Sequence, residues 1–490
     1  MLNILTSLIL GAVLALAFPG ANQHWIAWFA LSPLFYLIYR SDMKRAVVCG
    51  LAFGIGFFGV LLYWIGLFGI LPLAALAIFQ SLYIVIFVII VKLAGERIGA
   101  WGRFLFLPAL WVVVEWLRSL GMFGFTWGDL GYSQYKALPV IQIASVTGVW
   151  GVSFMLAMAN TALLNLALSW KTKARRDGFL QAGAAAVLIL AVVTYGLISI
   201  NRPIDRSGRR VRVAIVQGNF NSDTDWDFEL CQEMWRTYTD KTLSVTGKAD
   251  LVIWPESAAP GDTGNDPSIQ LRLANLAAGT GSHLLVGGRD EDHSGKMYNT
   301  AFLIGDFGII GKYAKVHLVP LGEFIPGCMR RLMPLLKSYR VVDYDTSPGS
   351  GFLPVDTGKL KIGTAICFES IFPQIPRLMT AHGADLLCVI TNDSWFGRTS
   401  APEQHMSMSV FRAIENRRYL VRGAATGISC IIDSKGRILS KSDIYKPAVI
   451  EGAVWAEKER TPYTRYGDWM VWLSMALVLL IGASRSIRRQ

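Results

Sequence analysis

Charged residues make up only 17% of the 490 positions, against about a quarter in ordinary soluble domains. Cysteine is also scarce, six in all. Cys49 falls in an apolar run, and the other five, Cys231, Cys328, Cys367, Cys388 and Cys430, are an odd set with no C-x-x-C spacing. A zinc site or a disulfide framework therefore has little support, and at least one thiol must be free or buried. There is no glycine-rich phosphate loop, internal repeat or low-complexity tract, so nothing calls for a nucleotide or a repeat architecture.

What the chain has instead is apolar surface. Hydrophobic residues reach 53% and the mean hydropathy is +0.40, the signature of a membrane protein. The apolar runs dominate residues 1–200, residues 211–458 have globular composition, and a last run covers 468–484. Eight spans are expected, at 2–18, 23–40, 46–68, 70–92, 104–121, 140–168, 179–200 and 468–484, each near the length that crosses a bilayer. The first resembles a signal peptide in length but lacks a basic leader, so it reads as a retained span.

The net charge of +12 follows from topology rather than from nucleic-acid binding. Basic residues cluster after spans two (Arg40, Lys44, Arg45), four (Lys92, Arg97, Arg103) and six (Lys171, Lys173, Arg175, Arg176), and in the tail (Arg485, Arg488, Arg489). By the positive-inside rule these segments and both termini are cytoplasmic. The globular domain between spans seven and eight then faces the opposite side, the periplasm in a bacterial inner membrane. Within span five, Glu115 and Arg118 are three residues apart. They share a helix face and can pair, either for function or to fix the bundle.

Between 211 and 458, apolar runs that read as strands (211–219, 250–257, 283–289, 300–305, 308–320, 361–370, 385–397, 423–439) alternate with helix-like stretches (227–246, 267–280, 371–383, 403–418). That alternation predicts a layered α/β fold. Three chemical groups share a position type: Glu256 after LVIWP, Lys315 after IIGKYA and Cys367 after KIGTAI. Ligands collect at strand ends in such folds, and a carboxylate, an ammonium and a thiol there could form a nucleophilic site. Each has an ordinary reading alone, as a cap, a surface lysine and a core cysteine.

WPES, KYAKVHLVPLGEFIP and ICFES followed by TNDSWFG resemble the three signature regions of the nitrilase (carbon–nitrogen hydrolase) superfamily. The resemblance implies an αββα sandwich with Glu256 as general base, Lys315 as oxyanion stabiliser, Cys367 as nucleophile and Glu323 as a second glutamate. Cys388 keeps its core reading. The whole chain resembles the apolipoprotein N-acyltransferase family, on EWLRS (115–119), GFTWGDLGYSQ (124–134), VQGN with Trp226 seven residues after Asn219, and TPYTRYGDW (461–469). By that resemblance the acyl donor is a phospholipid, phosphatidylethanolamine by type, and the acceptor is the α-amine of a diacylglyceryl-cysteine on an apolipoprotein. No cofactor or metal is required, and a monomer is expected. The aromatic loop 124–134, Trp226 and the region around Phe324 would guide acyl chains, although an interfacial aromatic belt explains such residues equally. Phe368 stands where the family includes tyrosine; it keeps the ring without the hydroxyl, and with Trp226 and Glu369 it is a candidate substrate contact. Glu369 has an alternative role in supporting the loop or Lys315. The competing function is a membrane-tethered amidase in which water resolves the thioester.

Overall fold

The computed structural model describes residues 2–94, 98–170, 172, 175–221, 227–332, 345–358 and 360–483. The chain forms two compact units, Met1–Arg202 with Tyr466–Gln490, and Pro203–Arg465. The second is thus inserted into the first.

Among the described residues of the first unit, five helices are long and apolar enough to cross a membrane: Met43–Leu61, Ile70–Ala94, Ala100–Arg118, Val149–Ser169 and Arg175–Asn201. Three of the eight expected spans are shorter. Leu2–Ala15 stops ahead of Pro19-Gly20, and Trp469–Ala483 has 15 residues. The run 23–40 is broken into a 3-10 turn, His24–Trp28, and a ten-residue helix, Leu31–Arg40, which rises about 15 Å, half of a ~30 Å hydrocarbon core. The sixth helix starts only at Val149, because Gly148, at φ +66°, ends the preceding turn. Of the basic residues invoked for orientation, Arg97, Lys171, Lys173, Arg485, Arg488 and Arg489 lie outside the described residues. Two glycines let the helices Leu2–Ala15 and Met43–Leu61 approach closely. A Cβ on Gly11 would lie 2.0 Å from the Phe53 carbonyl oxygen, and one on Gly56 2.0 Å from that of Leu8. Small residues admit such contact in membrane bundles.

The expected Glu115–Arg118 pair does not form. The Glu115 Oε1 accepts from Trp111 Nε1 and from the Leu130 N–H, both at 2.7 Å. Arg118 donates to Gln80 Oε1 (3.0 Å) and to the carbonyls of Phe125 (3.2 Å) and Trp127 (2.6 Å), and lies 3.7 Å from Asp129. The loop after the helix offers backbone and carboxylate partners to both side chains, so each fastens the aromatic segment 125–130 instead of its helical neighbour.

The second unit holds two six-stranded sheets. The first has the order β12-β1-β2-β3-β4-β5 and the second β11-β10-β9-β8-β7-β6. The strands are β1 (Arg210–Gln217), β2 (Leu251–Ile253), β3 (His283–Glu291), β4 (Met297–Gly305), β5 (Gly308–Ala314), β6 (Val355–Asp356), β7 (Lys361–Ile366), β8 (Leu386–Thr391), β9 (Leu420–Ala424), β10 (Cys430–Ile432), β11 (Ile438–Lys441) and β12 (Ala448–Trp455). β1, β2 and β3 run parallel, as do β7, β8 and β9, and these central strands are apolar on both faces, as covered parallel strands must be. On β1, Ala214 and Val216 face outward into a cluster with Trp235, Tyr238, Leu273 and Leu276. These belong to the helices Phe228–Leu243 and Pro267–Thr280. The alternate residue, Ile215, faces the other sheet, where Gly423 of β9 lies against it and against Ile253. The helices Gln374–Ala381 and Ala401–Asn416 cover the second sheet, Met379 sitting on Gly363. The layers are therefore helix, sheet, sheet, helix, an αββα sandwich.

Sequence chemistry sets the boundaries. The Pro267–Thr280 helix opens with Asp266 accepting from Ser268 N–H and Pro267 in its first turn, and closes on Gly281 at φ +67°. The strand β12 was not among the expected ones. Its half-buried edge position beside β1 gives it a mixed pattern rather than a continuous apolar run.

The motif TPYTRYGDW is fastened at both halves. Thr461 Oγ1 donates to the Glu415 carbonyl (2.6 Å) and Thr464 Oγ1 to Asn416 Oδ1 (3.1 Å). Beyond the unit boundary, Asp468 accepts from Trp150 Nε1 (2.9 Å) and Trp469 Nε1 donates to the Val146 carbonyl (2.7 Å).

Candidate active site

Glu256 lies three residues past β2, Lys315 directly follows β5, and Cys367 directly follows β7. The first two come from one sheet and the third from the other. Gly287 on β3 allows the Glu256 turn to settle on the sheet, since a Cβ there would sit 2.6 Å from the Glu256 Cα.

The four charged or nucleophilic candidates form one cluster. The Lys315 Nζ lies 2.9 Å from Glu323 Oε1 and 3.4 Å from Glu256 Oε1, and its side chain is only 1% exposed. Burial alone pulls the Lys315 ammonium down, but Glu323 and Glu256 outweigh it and hold the group above its ordinary value. Each carboxylate is also fixed by an amide. Glu256 Oε2 accepts from the Asn392 N–H (2.7 Å), and Glu323 Oε2 from the Val319 N–H (2.8 Å). Asn299 Nδ2 donates to both, at 2.7 Å to Glu256 Oε1 and 3.0 Å to Glu323 Oε1.

Cys367 opens a short 3-10 turn, Cys367–Ile371, in the left-handed region at φ +51°. A residue with a Cβ there costs roughly 1–3 kcal/mol and persists only where its surroundings impose it. Burial and the Glu256 carboxylate push the Cys367 thiol up, while Lys315 and a hydrogen bond with Thr391 pull it down, and the net direction is up. The resting group is thus a thiol rather than a thiolate. The interaction with both Glu256 and Lys315 puts a carboxylate and an ammonium near that sulfur. Cys388, on β8, is buried and its thiol is pushed up by burial alone.

Glu369 is placed as a strut. It is fully buried, and its Oε1 accepts from Tyr313 Oη (2.9 Å), Val316 N–H (2.7 Å) and His317 N–H (3.0 Å), while Oε2 accepts from Ile366 N–H (2.8 Å). These donors flank Lys315 and Cys367, so the carboxylate ties the turns that carry them together. With both oxygens taken and no exposed surface, it has the supporting position and not that of a substrate contact. Burial pushes it up to about 7, against the pull of the backbone donors. Phe368 is half-buried and forms an aromatic wall with Phe372 (centroids 5.2 Å apart) and His317 (5.8 Å). His317 is pushed down to about 4 by burial and by Lys315, so it is neutral at pH 7. Phe324 is half-buried beside Glu323, and Trp226 lies outside the described residues.

Sequence reasoning missed Asn299, which sits 43 and 24 residues from the carboxylates it joins. The available signal is weak: Asn299 stands just before the apolar run of β4, among half-buried residues.

Residues 212–459 match the carbon–nitrogen hydrolase family model, which defines the class of the catalytic unit, and residues 10–162 match the apolipoprotein N-acyltransferase N-terminal domain. The chain is 36% identical to an apolipoprotein N-acyltransferase of Geobacter metallireducens, over 98% of this chain and 94% of the relative. A Gloeobacter violaceus protein of the same name is 32% identical over 96% and 91%. Among solved structures, a Saccharomyces cerevisiae member of branch 10 of the nitrilase superfamily is similar, with 21% identity, a TM-score of 0.40, and coverage of 50% of this chain and 90% of that one. The chain belongs to the apolipoprotein N-acyltransferase family.

Proposed function

We propose that the protein moves an acyl chain from a membrane phospholipid, through a thioester on Cys367, to the α-amine of the N-terminal diacylglyceryl-cysteine of apolipoproteins. The observation that carries this reading is Lys315, buried between Glu256 and Glu323 and interacting with the Cys367 thiol, in a chain with five helices long and apolar enough to cross a membrane. Relatives over nearly the full length are named for this activity.

Glu256 takes the thiol proton as Cys367 Sγ attacks the ester carbonyl. Negative charge gathers on the carbonyl oxygen, and Lys315 neutralises it. The ester C–O bond breaks, Glu256 returns the proton to the departing alkoxide, and lysophospholipid leaves. The lipoprotein amine then attacks the thioester carbonyl and loses its proton to Glu256. The C–S bond breaks and the thiol is restored, in a ping-pong cycle. The basic residues Arg40, Lys44, Arg45, Lys92, Arg103, Arg175 and Arg176 support cytoplasmic termini and a periplasmic catalytic unit. Phosphatidylethanolamine is the donor, and the working unit is a monomer.

The test is intact mass of the purified chain after incubation with phosphatidylethanolamine and then with a diacylglyceryl lipopeptide. One acyl chain gained on Cys367 and discharged onto the peptide amine is the expected result. Discharge to water alone would replace the transferase with a lipid hydrolase, and no gain with a freely alkylated Cys367 would favour a tethered amidase.

A further inference from the structure

The reaction above leaves unused a buried ionic cluster on the far side of the nucleophile. His405, near the start of the Ala401–Asn416 helix, is 1% exposed, and Asp393 and Arg422 are fully buried. His405 Nε2 lies 3.2 Å from the Cys367 carbonyl oxygen and 2.8 Å from Ser370 Oγ. Its Nδ1 lies 3.0 Å from Asp393 Oδ1 and 2.9 Å from Arg422 Nη2. Arg422 also donates to Asp393 Oδ2 at 2.8 Å. In the tautomer with its proton on Nε2, the imidazole donates to the Cys367 carbonyl and Nδ1 accepts from Arg422, which ties the ring to Asp393. Asp393 reaches the same cysteine by a second arm. Thr391 Oγ1 donates to Asp393 Oδ1 (2.8 Å) and is in hydrogen-bond contact with the Cys367 side chain. Two turns further along the helix, Arg412 donates to the Ile371 carbonyl (3.1 Å), at the end of the nucleophile turn.

We infer that Asp393 and His405 are positioning residues: an ionic hub that grips Cys367 at its carbonyl and at its thiol, and imposes the left-handed backbone that aims the sulfur toward Glu256 and Lys315. None of the hub's members needs to touch substrate. The turn has no glycine to adopt φ +51° freely, so an outside grip is required. This inference rests on the reading of Cys367 as the nucleophile.

The test uses His405→Leu and His405→Gln in the full-length chain. Glutamine places an N–H near the former Nε2 and leucine does not. Two rates are read, acylation of Cys367 by phosphatidylethanolamine vesicles and its alkylation by iodoacetamide. His405→Leu should lower kcat for acylation about 100-fold with KM unchanged, the scale of a misplaced reacting group, and slow alkylation as well. His405→Gln should recover most of both. A folded leucine variant with wild-type kcat overturns the inference, and so do leucine and glutamine variants that are equally slow. Should His405→Leu not fold, Asp393→Asn carries the same comparison against His405→Gln. If the wild type takes up no acyl group, yet alkylation still falls in His405→Leu and returns in His405→Gln, the acyl-transfer reading fails and the hub stands.

Discussion

Glu323→Gln isolates the electrostatic part of the site, because it removes a charge and keeps the shape. Lys315 has carboxylate oxygens at 2.9 and 3.4 Å and almost no exposure to water. At an effective dielectric of about 20, unit charges at those separations attract by about 6 and about 5 kcal/mol. Removing Glu323 therefore takes away roughly half of what offsets the buried ammonium. Breaking a buried pair from one side costs about 3–5 kcal/mol of stability. Acyl-enzyme formation should slow about 100-fold, the scale seen when one preorganised electrostatic partner is removed. The pH dependence carries the sharper signature. In the wild type the two carboxylates hold Lys315 above its ordinary value, so its charge survives through pH ~10. In Glu323→Gln burial dominates, and an alkaline limb should enter the profile below pH ~10. The assay is single-turnover acylation by phosphatidylethanolamine vesicles, followed by intact mass across the alkaline range. A rate within about 3-fold of wild type with no new limb would refute the electrostatic role. Glu323 would then be left to brace the loop through the Val319 N–H.

Two further perturbations test the framework around the cluster. His317 sits at about 4 in the folded chain, below its free value of 6.5. A depressed folded value means its contribution to stability is complete above pH ~6.5 and is lost as pH falls through ~4, up to about 3 kcal/mol. His317→Phe keeps the ring against Phe372 and deletes the proton site, so its melting midpoint should fall less than the wild type's between pH ~7 and ~4.5; parallel curves would contradict this. Glu369→Ala orphans four donors, Tyr313 Oη and three backbone N–H groups, at about 1–3 kcal/mol each. The midpoint should drop by roughly 10 °C or more, and a drop below about 2 °C would mean the strut carries no weight.

The strand ends that present Glu256 and Cys367 are legible in the sequence, because covered parallel strands must be apolar on both faces and the chemistry begins where the apolar run stops, whereas Lys315 follows β5, an antiparallel edge strand whose pattern is only partly buried. Glu323 is legible only by resemblance. Asn299 and His405 are not, because the carboxylates Asn299 joins lie 24 and 43 residues away and His405 meets Cys367 across 38 residues, and no periodicity encodes such a contact. The broken run 23–40 shows the limit of hydropathy, which measures composition and is blind to the turn at His24–Trp28. The Glu115 and Arg118 spacing permits a pair, but spacing cannot weigh it against the loop partners at Leu130 and Trp127.

The Pro203–Arg465 unit is an insertion, with the long apolar helices before Pro203 and the shorter apolar helix Trp469–Ala483 after Arg465. Its order of manufacture follows. The Trp469–Ala483 helix, which reaches its neighbours through Trp469 and Asp468, leaves the ribosome only after all of Pro203–Arg465 has been made. The bundle therefore cannot close around a missing or truncated enzyme. A chain that stalls midway leaves the first unit without its last helix.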